Sequence, residues 1–181
     1  CRTVAPCEMR VYFVIAAIDV QYENCDARAG VVLFDDWSDA APQAVFAHEV
    51  TDCADYVPGE FFRREMPVIL QAIARTPRAI DVIVVDCYVD LADPDCPGLG
   101  RRLHRELGEQ VTVVGVAKSR FRDATHAIEV VRGTSRRPLF VTAAGMPARE
   151  AAACISSMEG PHRVPRLLKL ADAIARGHHA P

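Results

Sequence analysis

Asp81-Val82-Ile83-Val84-Val85-Asp86 is a run of branched apolar residues that ends in a carboxylate. Because it is apolar at every position rather than at alternate ones, it predicts a strand covered on both faces of a sheet. An acidic residue just past the carboxyl end of such a strand stands where open α/β sheets build their sites. Val11 to Val20, Val-Tyr-Phe-Val-Ile-Ala-Ala-Ile-Asp-Val, predicts a second strand of the same kind, closed by Asp19. If the two strands are neighbours, Asp19 and Asp86 face one another.

Working outward, Ala29–Asp35 and Gln43–Val50 read as two further strands, and Asp36, Ser38, Asp39 and Pro42 between them supply turn chemistry. Strands one to three therefore form an antiparallel meander. Tyr56-Val57-Pro58-Gly59 is a turn signal, followed by a helix to about Ala74 with Phe62, Met66, Ile69, Leu70 and Ile73 at helical spacing. Pro67 removes a backbone donor inside this helix and predicts a kink or a late regular start. Glu65 lies near the helix's amino-terminal end. After the buried strand come a Pro/Gly/Asp-rich loop, Asp90 to Gly100, a helix over Arg101–Leu107 and a strand Val111–Ala117 ending at Lys118. Strands Ala127–Val131 and Pro138–Thr142 and helices Ala148–Met158 and Val164–Arg176 complete the chain. The order β-β-β-α-β-α-β predicts an α/β fold: a mixed sheet, antiparallel in strands 1–3 and parallel in strands 1, 4 and 5, flanked by helices. That is the ribonuclease-H-like arrangement, in which the first and fourth strands are parallel neighbours.

The 181 residues, 50% of them hydrophobic, suffice for one substantial core. One domain is expected over 11–176, with an irregular extension over 1–10 and a tail over 177–181. The longest apolar runs fall short of a membrane span, and no signal-like start is present, so a soluble, cytoplasmic monomer is expected. Seven cysteines without a Cys-x-x-Cys pair argue against a disulfide framework or a structural zinc site and fit small core residues in a reducing compartment. The net charge of -3 conceals an asymmetry: residues 1–90 hold 7 Lys/Arg against 15 Asp/Glu, and residues 91–181 hold 14 against 9. Basic groups cluster at Arg101, Arg102 and Arg105, at Lys118, Arg120 and Arg122, and at Arg132, Arg136 and Arg137. An acidic site beside basic loops suits a metal-dependent enzyme acting on a polyanion. Ordinary solvated faces would give the same counts.

Asp19, Asp86 and Glu65 converge in this arrangement. Like charges so close need a compensating cation, and hard divalent ions such as Mg²⁺ or Mn²⁺ prefer carboxylate oxygens. Two such ions roughly 3.5–4 Å apart can activate a water and stabilise the leaving oxygen of a phosphodiester. Lys118 could orient that water or neutralise developing charge. Spacing alone favours the plainer reading, with Asp19 and Asp86 as strand-end caps and Glu65 as a surface residue. Tyr56-Val57-Pro58-Gly59 has two readings as well: the start of a helix, or a rigid exposed tip that inserts between bases. His126, His178 and His179 lack metal-ligand spacing, and Trp37 and Cys87 read as packing residues.

The chain resembles the endonuclease V family over nearly all its length after Val11. Asp19-Val20-Gln21-Tyr22 resembles the family's Asp-Val-x-Tyr. Tyr56-Val57-Pro58-Gly59 with Phe61, Phe62, Arg63, Arg64, Glu65, Met66 and Pro67 resembles its Tyr-Ile-Pro-Gly and Phe-Arg-Glu-x-Pro. Val85-Asp86 and Gly115-Val116-Ala117-Lys118 match its Val-Asp and Gly-Val-Ala-Lys, and Pro138-Leu139-Phe140-Val141 resembles its late strand. His162-Arg163-Val164-Pro165 with Ala171-Asp172 is similar to its Tyr-Arg-Leu-Pro and Ala-Asp helix. The resemblance implies a ribonuclease-H-like endonuclease that uses Mg²⁺ or Mn²⁺ to hydrolyse DNA or RNA, single-stranded or locally unstacked, one phosphodiester 3′ of a deaminated base, typically inosine. It implies Asp19, Glu65 and Asp86 as catalytic metal ligands and Lys118 as a catalytic lysine. Tyr56, Val57, Pro58, Gly59 and Gly115 are implied to lie against the nucleic acid, the first three as a strand-separating wedge.

Two departures accompany the match. The family's Val-Asp-Gly-x-Gly is Val85-Asp86-Cys87-Tyr88-Val89 here, which reshapes a turn whose glycines let backbone approach the base. The family's Gly-His-Arg is Ala144-Gly145-Met146, so its histidine is missing. The alternative expectation is a weak or inactive protein of the same fold that binds single strands or modified nucleotides.

Overall fold

The structure, a computed structural model, describes residues 13–51, 53, 61–92, 96–122 and 124–178. Its strands are β1 (Ile15–Glu23), β2 (Asp26–Phe34), β3 (Ala44–Val50), β4 (Val82–Val85), β5 (Thr112–Ala117), β6 (Ile128–Val130) and β7 (Leu139–Ala144). The helices are α1 (Phe61–Ala74), α2 (Leu99–Glu106), α3 (Ala148–Ser157) and α4 (Arg166–Ala175). All seven strands form one mixed sheet in the order β3-β2-β1-β4-β5-β7-β6. β1, β4 and β5 run parallel, and the other neighbours pair antiparallel. The antiparallel meander and the parallel centre are those expected from the sequence.

β4 is buried at all its positions because helices cover both faces. On one face Val68, Ile69 and Ala72 of α1 and Leu99 and Leu103 of α2 pack on Ala16, Ile18, Ile83 and Val85. On the other, Ala151 and Ile155 of α3 and Leu167, Ala171 and Ile174 of α4 cover Ile15, Ala17, Val82, Val84 and Val114. The apolar residues of α4 recur at helical spacing. Pro165 precedes its first turn, and Gly177 follows its last with φ +73°.

Several details differ from the sequence reading, among them the start of β2 at Asp26, of α2 at Leu99 and of α4 at Arg166. β1 does not end near Asp19 but runs on to Glu23, because it turns into β2 through Asn24 and Cys25, with Asn24 at φ +55°. Asparagine tolerates that region, so Asn-Cys makes a tight hairpin without the usual glycine. α1 runs unbroken through Pro67, which lies on its exposed side. Arg132, grouped with the basic surface clusters, is instead 7% exposed and donates to the carbonyls of Ser156, Met158 and His162. Trp37 packs edge-on against Phe34, centroids 6.3 Å apart, as its turn position implied.

Gly30 on β2 sets how closely α4 approaches the sheet. A Cβ there would lie 2.2 Å from the carbonyl oxygen of Ala171 and 2.6 Å from the amide nitrogen of Ala175. Both atoms are backbone, so the helix can yield only by moving away. Gly30→Ala is expected to cost about 1–3 kcal/mol, read as a lower midpoint in urea unfolding. An unchanged midpoint would show that α4 is not fixed by this contact.

Candidate active site

Strand register brings the first two carboxylates together. β1 and β4 pair in parallel only as far as Ile18 and Val85, and Asp19 and Asp86 are the next residues on each. Beyond that point β1 continues only against β2, where Asp19 lies opposite Gly30. Alternation then fixes the face. Ile15 and Ala17, Val82 and Val84, and Val114 and Val116 all belong to the apolar cluster under α3 and α4, and Asp19, Asp86 and Lys118 continue those three rows.

On that face Lys118 Nζ donates to Asp86 Oδ2 at 2.5 Å. From α4, Asp172 meets Asp19 side chain to side chain. Burial, this hydrogen bond and then the charge of Asp86 push the Asp19 carboxyl up to about 7. Asp172 is the acceptor of the pair. Burial raises it, but the Asp19 hydrogen bond and Arg176, whose Nε donates at 3.0 Å, bring it below the usual carboxylate range. Burial pulls Lys118 down, and the hydrogen bond to Asp86 with the charges of Asp86, Asp19 and Asp172 carries it above its ordinary value. Asp19, Asp86, Lys118, Asp172 and Leu168 line a cavity of about 30 Å³ here.

Glu65 arrives from the opposite face, on α1. It is 8% exposed, and burial followed by the charges of Asp19 and Asp86 pushes its carboxyl up to about 8. With Asp19, Asp86, Cys87 and Leu99 it lines a second cavity of about 10 Å³. Each cavity is of the size of an ion or one or two waters. Nearby, the Arg64 guanidinium lies 4.0 Å from the Tyr22 ring centroid, and the buried Tyr22 hydroxyl has no hydrogen-bond partner among the described residues. Cys87 packs into the core cluster beside the site, and burial pushes its thiol up.

Among the described residues no group of three or more His, Cys, Asp or Glu stands at metal-holding geometry. Lys118 engages one Asp86 oxygen, a proton joins Asp19 to Asp172, and Glu65 comes from the other side of the sheet. The donor set nevertheless suits a hard divalent cation. Its atoms are all carboxylate oxygens, and the raised proton affinities of Asp19 and Glu65 mark negative charge that lacks a counterion.

Asp19, Glu65, Asp86 and Lys118 are thus brought together, and Asp172 joins them. Asp172 was missed as a site residue although Ala171-Asp172 stood within a quoted motif. Its signal was a carboxylate beside the buried stripe of an amphipathic helix. Gly115 is buried: a Cβ there would lie 2.4 Å from the Cys87 carbonyl oxygen and 2.9 Å from Thr142 Oγ1, so it lets the 87–89 backbone cross close over β5. Tyr56, Val57, Pro58 and Gly59 lie outside the described residues. The missing histidine concerns the wrong end of the sheet. Ala144 pairs with Val113 at the start of β5, roughly 17 Å of strand from Lys118, and Gly145 faces Thr112 and His104 there.

A family model described as Endonuclease V matches residues 6–157. Among solved structures the chain is similar to the Endonuclease V of Streptomyces avermitilis, with 23% identity, 91% of this chain and 80% of that one covered, and a TM-score of 0.72. It is similar to the catalytic domain of human Endonuclease V, with 20% identity, coverage of 93% and 83%, and a TM-score of 0.73. It also matches Ciona intestinalis Endonuclease V in complex with a 24mer DNA containing an inosine followed by a ribo-adenosine, with 16% identity, coverage of 93% and 87%, and a TM-score of 0.73. No curated protein matches the chain.

The two raised carboxyls make stability depend on pH. Asp19 and Glu65 keep their protons to higher pH in the folded protein than in the unfolded chain. The folded state therefore binds more protons between about pH 4 and 8, and stability falls as pH rises through that window. The combined loss, after allowance for solvent access and coupling, is on the order of a few kcal/mol. Urea unfolding in EDTA at about pH 5 and about pH 9 should show that decline, flattened in Asp19→Asn/Glu65→Gln and reversed at the upper end by Mg²⁺ or Mn²⁺. A wild-type protein equally stable at both values would refute it.

Proposed function

The chain belongs to the endonuclease V family, and from that premise we propose that it is a Mg²⁺- or Mn²⁺-dependent endonuclease that hydrolyses a phosphodiester of DNA or RNA near a deaminated base such as inosine. The observation that carries this reading is the meeting of Asp19, Asp86 and Asp172 with Lys118 on one face of the sheet, with Glu65 reaching the same strand ends from the other. A protein that only bound nucleic acid would gain nothing from burying like charges together, since each burial weakens the fold.

In this reading Asp19, Glu65, Asp86 and Asp172 would hold the metal. When bound, it supplies a polarised water and positive charge against the phosphate oxygens. The remaining work falls to the chain. Lys118 keeps its proton at Nζ beside Asp86 and stands as a fixed positive charge where phosphodiester charge builds up. Arg120 and Arg122, exposed on the segment that follows, add positive potential that attracts a polyanion. Tyr56, Val57 and Pro58 act as the wedge that opens a strand, and Gly115 shapes the floor under 87–89. The protein acts as a monomer.

The turn at 87–89 bears on base preference. Val89 is fully buried and its amide donates to Thr142 Oγ1 at 2.9 Å. Side chains therefore fill space that the family's glycines leave open. Gly145 stands remote from the carboxylates, so the absent histidine does not bear on the choice between a binder and an enzyme.

The deciding experiment incubates end-labelled single strands of DNA and RNA, with and without inosine, with Mg²⁺ or Mn²⁺. Wild-type protein is expected to cut beside inosine, and Asp86→Ala to lose at least about 100-fold in rate while still binding with a salt-dependent affinity. Cutting without base preference would keep the nuclease and discard the inosine pocket. Binding without cutting in either metal would favour the non-catalytic reading.

A further inference from the structure

We infer that Tyr88 is a positioning residue: its hydroxyl fastens the segment after β5 to the segment after β4 and so holds Lys118 at Asp86. The inference rests on the proposed role of Lys118.

Lys118 needs such a fastening. The β4–β5 ladder stops at Val85 and Gly115, and the β5–β7 ladder stops at Ala117 and Phe140. From Lys118 to Ala127 the described chain has no helix or strand. Past the ladders, β5 and its lysine are left without strand partners just where the side chain must be placed. Two side chains take over. Arg163, from the segment before α4, donates to the carbonyl of Lys118 and, at 2.6 Å, to that of Pro138. Tyr88 works from the β4 side: its hydroxyl donates to the Ser119 carbonyl at 2.8 Å and accepts from the Phe121 amide at 3.0 Å. It thus holds the chain at the first and the third residue beyond the lysine.

The anchor is itself rigid. Tyr88 is 8% exposed and packs with Ala117, Ala124 and Phe140. Its ring lies 6.2 Å from that of Phe121, tilted by 55°. Its carbonyl accepts from the Gly100 amide at 3.2 Å, and a Cβ on Gly98 would lie 2.6 Å from the same oxygen, so α2 is pressed against it. Tyr88 follows Asp86 by two residues and Ser119 follows Lys118 by one. One hydroxyl therefore closes a short ring of chain around the 2.5 Å lysine–aspartate contact. No other side chain among the described residues hydrogen-bonds the backbone from Ser119 to Arg122.

Tyr88→Phe keeps the ring and deletes both hydrogen bonds. On an inosine-containing single strand it is expected to lower kcat roughly 10-fold with KM and thermal midpoint nearly unchanged. The same change in a Lys118→Ala background should cost nothing further, because the residue acts through the lysine. An equal loss in both backgrounds, a loss confined to KM, no loss, or collapse of the fold would each overturn the inference. A second readout needs no activity. Lys118 and Lys169 are the two lysines of the chain, and acylation by an amine-reactive ester, read by peptide mass, compares them directly. Tyr88→Phe should raise labelling of Lys118 severalfold relative to Lys169, and an unchanged ratio would overturn the inference. If wild-type protein fails to cut any strand, the nuclease reading falls and the labelling ratio alone decides whether Tyr88 holds the lysine.

Discussion

Parallel pairing of β1 with β4 ends one residue before an aspartate on each strand, and that register is the constraint on which the rest of the site depends. Two carboxylates on adjacent strands and the same face repel, and the fold meets that repulsion with specific parts. Lys118 neutralises Asp86 from the next strand along. α4 comes down over Asp19 because Gly30, its cross-strand neighbour, has no side chain to keep the helix away. Asp172 then shares a proton with Asp19 instead of adding another bare charge. Each part makes sense only given the first two aspartates, whereas the aspartates weaken the fold unless something binds them.

Much of this was legible in the sequence, for physical reasons. A strand buried on both faces cannot alternate, so Asp81 to Asp86 declared its place at the centre of the sheet before any pairing was known. The meander was readable because Asp36, Ser38 and Asp39 make local side-chain hydrogen bonds that recur wherever they occur, as when Asp39 accepts from the amides of Asp35 and Asp36 at 3.0 Å. What stayed hidden depended on partners distant in sequence. Nothing in Val-Gln-Tyr-Glu says that β1 runs on past Asp19, because a cross-strand neighbour and not local propensity holds it there. Arg132 looked like surface charge because burial of an arginine requires carbonyl oxygens from another segment, here the end of α3 and the loop after it. Asp172 could be named as part of a motif, yet only helix packing shows what it touches.

The position of Gly145 shows how a residue-by-residue comparison can mislead when topology is left out. β7 is antiparallel to β5, so a residue late in β7 lies at the end of the sheet where β5 begins, away from the strand ends that carry Asp19, Asp86 and Lys118. Sequence proximity to the Pro-Leu-Phe-Val stretch that enters β7 carried no information about which end it would occupy. In contrast, His162-Arg163-Val164-Pro165 lies before α4, which begins at Arg166 and not at Val164 as the sequence suggested, and its arginine reaches back to the carbonyl of Lys118 itself. Motifs in this chain are tied together by where strands end.

α4 follows every strand of the sheet in chain order, although it packs against β1 and β2, the first two. During synthesis, which proceeds from the amino terminus, the sheet and its paired aspartates can form while the helix that carries Asp172 is still to be made. Arg163, the tie on Lys118, emerges only just before it. The half-made protein would hold a charged cleft open to solvent, without its fourth carboxylate and with its lysine held from one side. Formation of α4 is thus also the step that brings the fourth carboxylate to the strand ends, so local order at one helix governs how the charge of the whole cleft is shared.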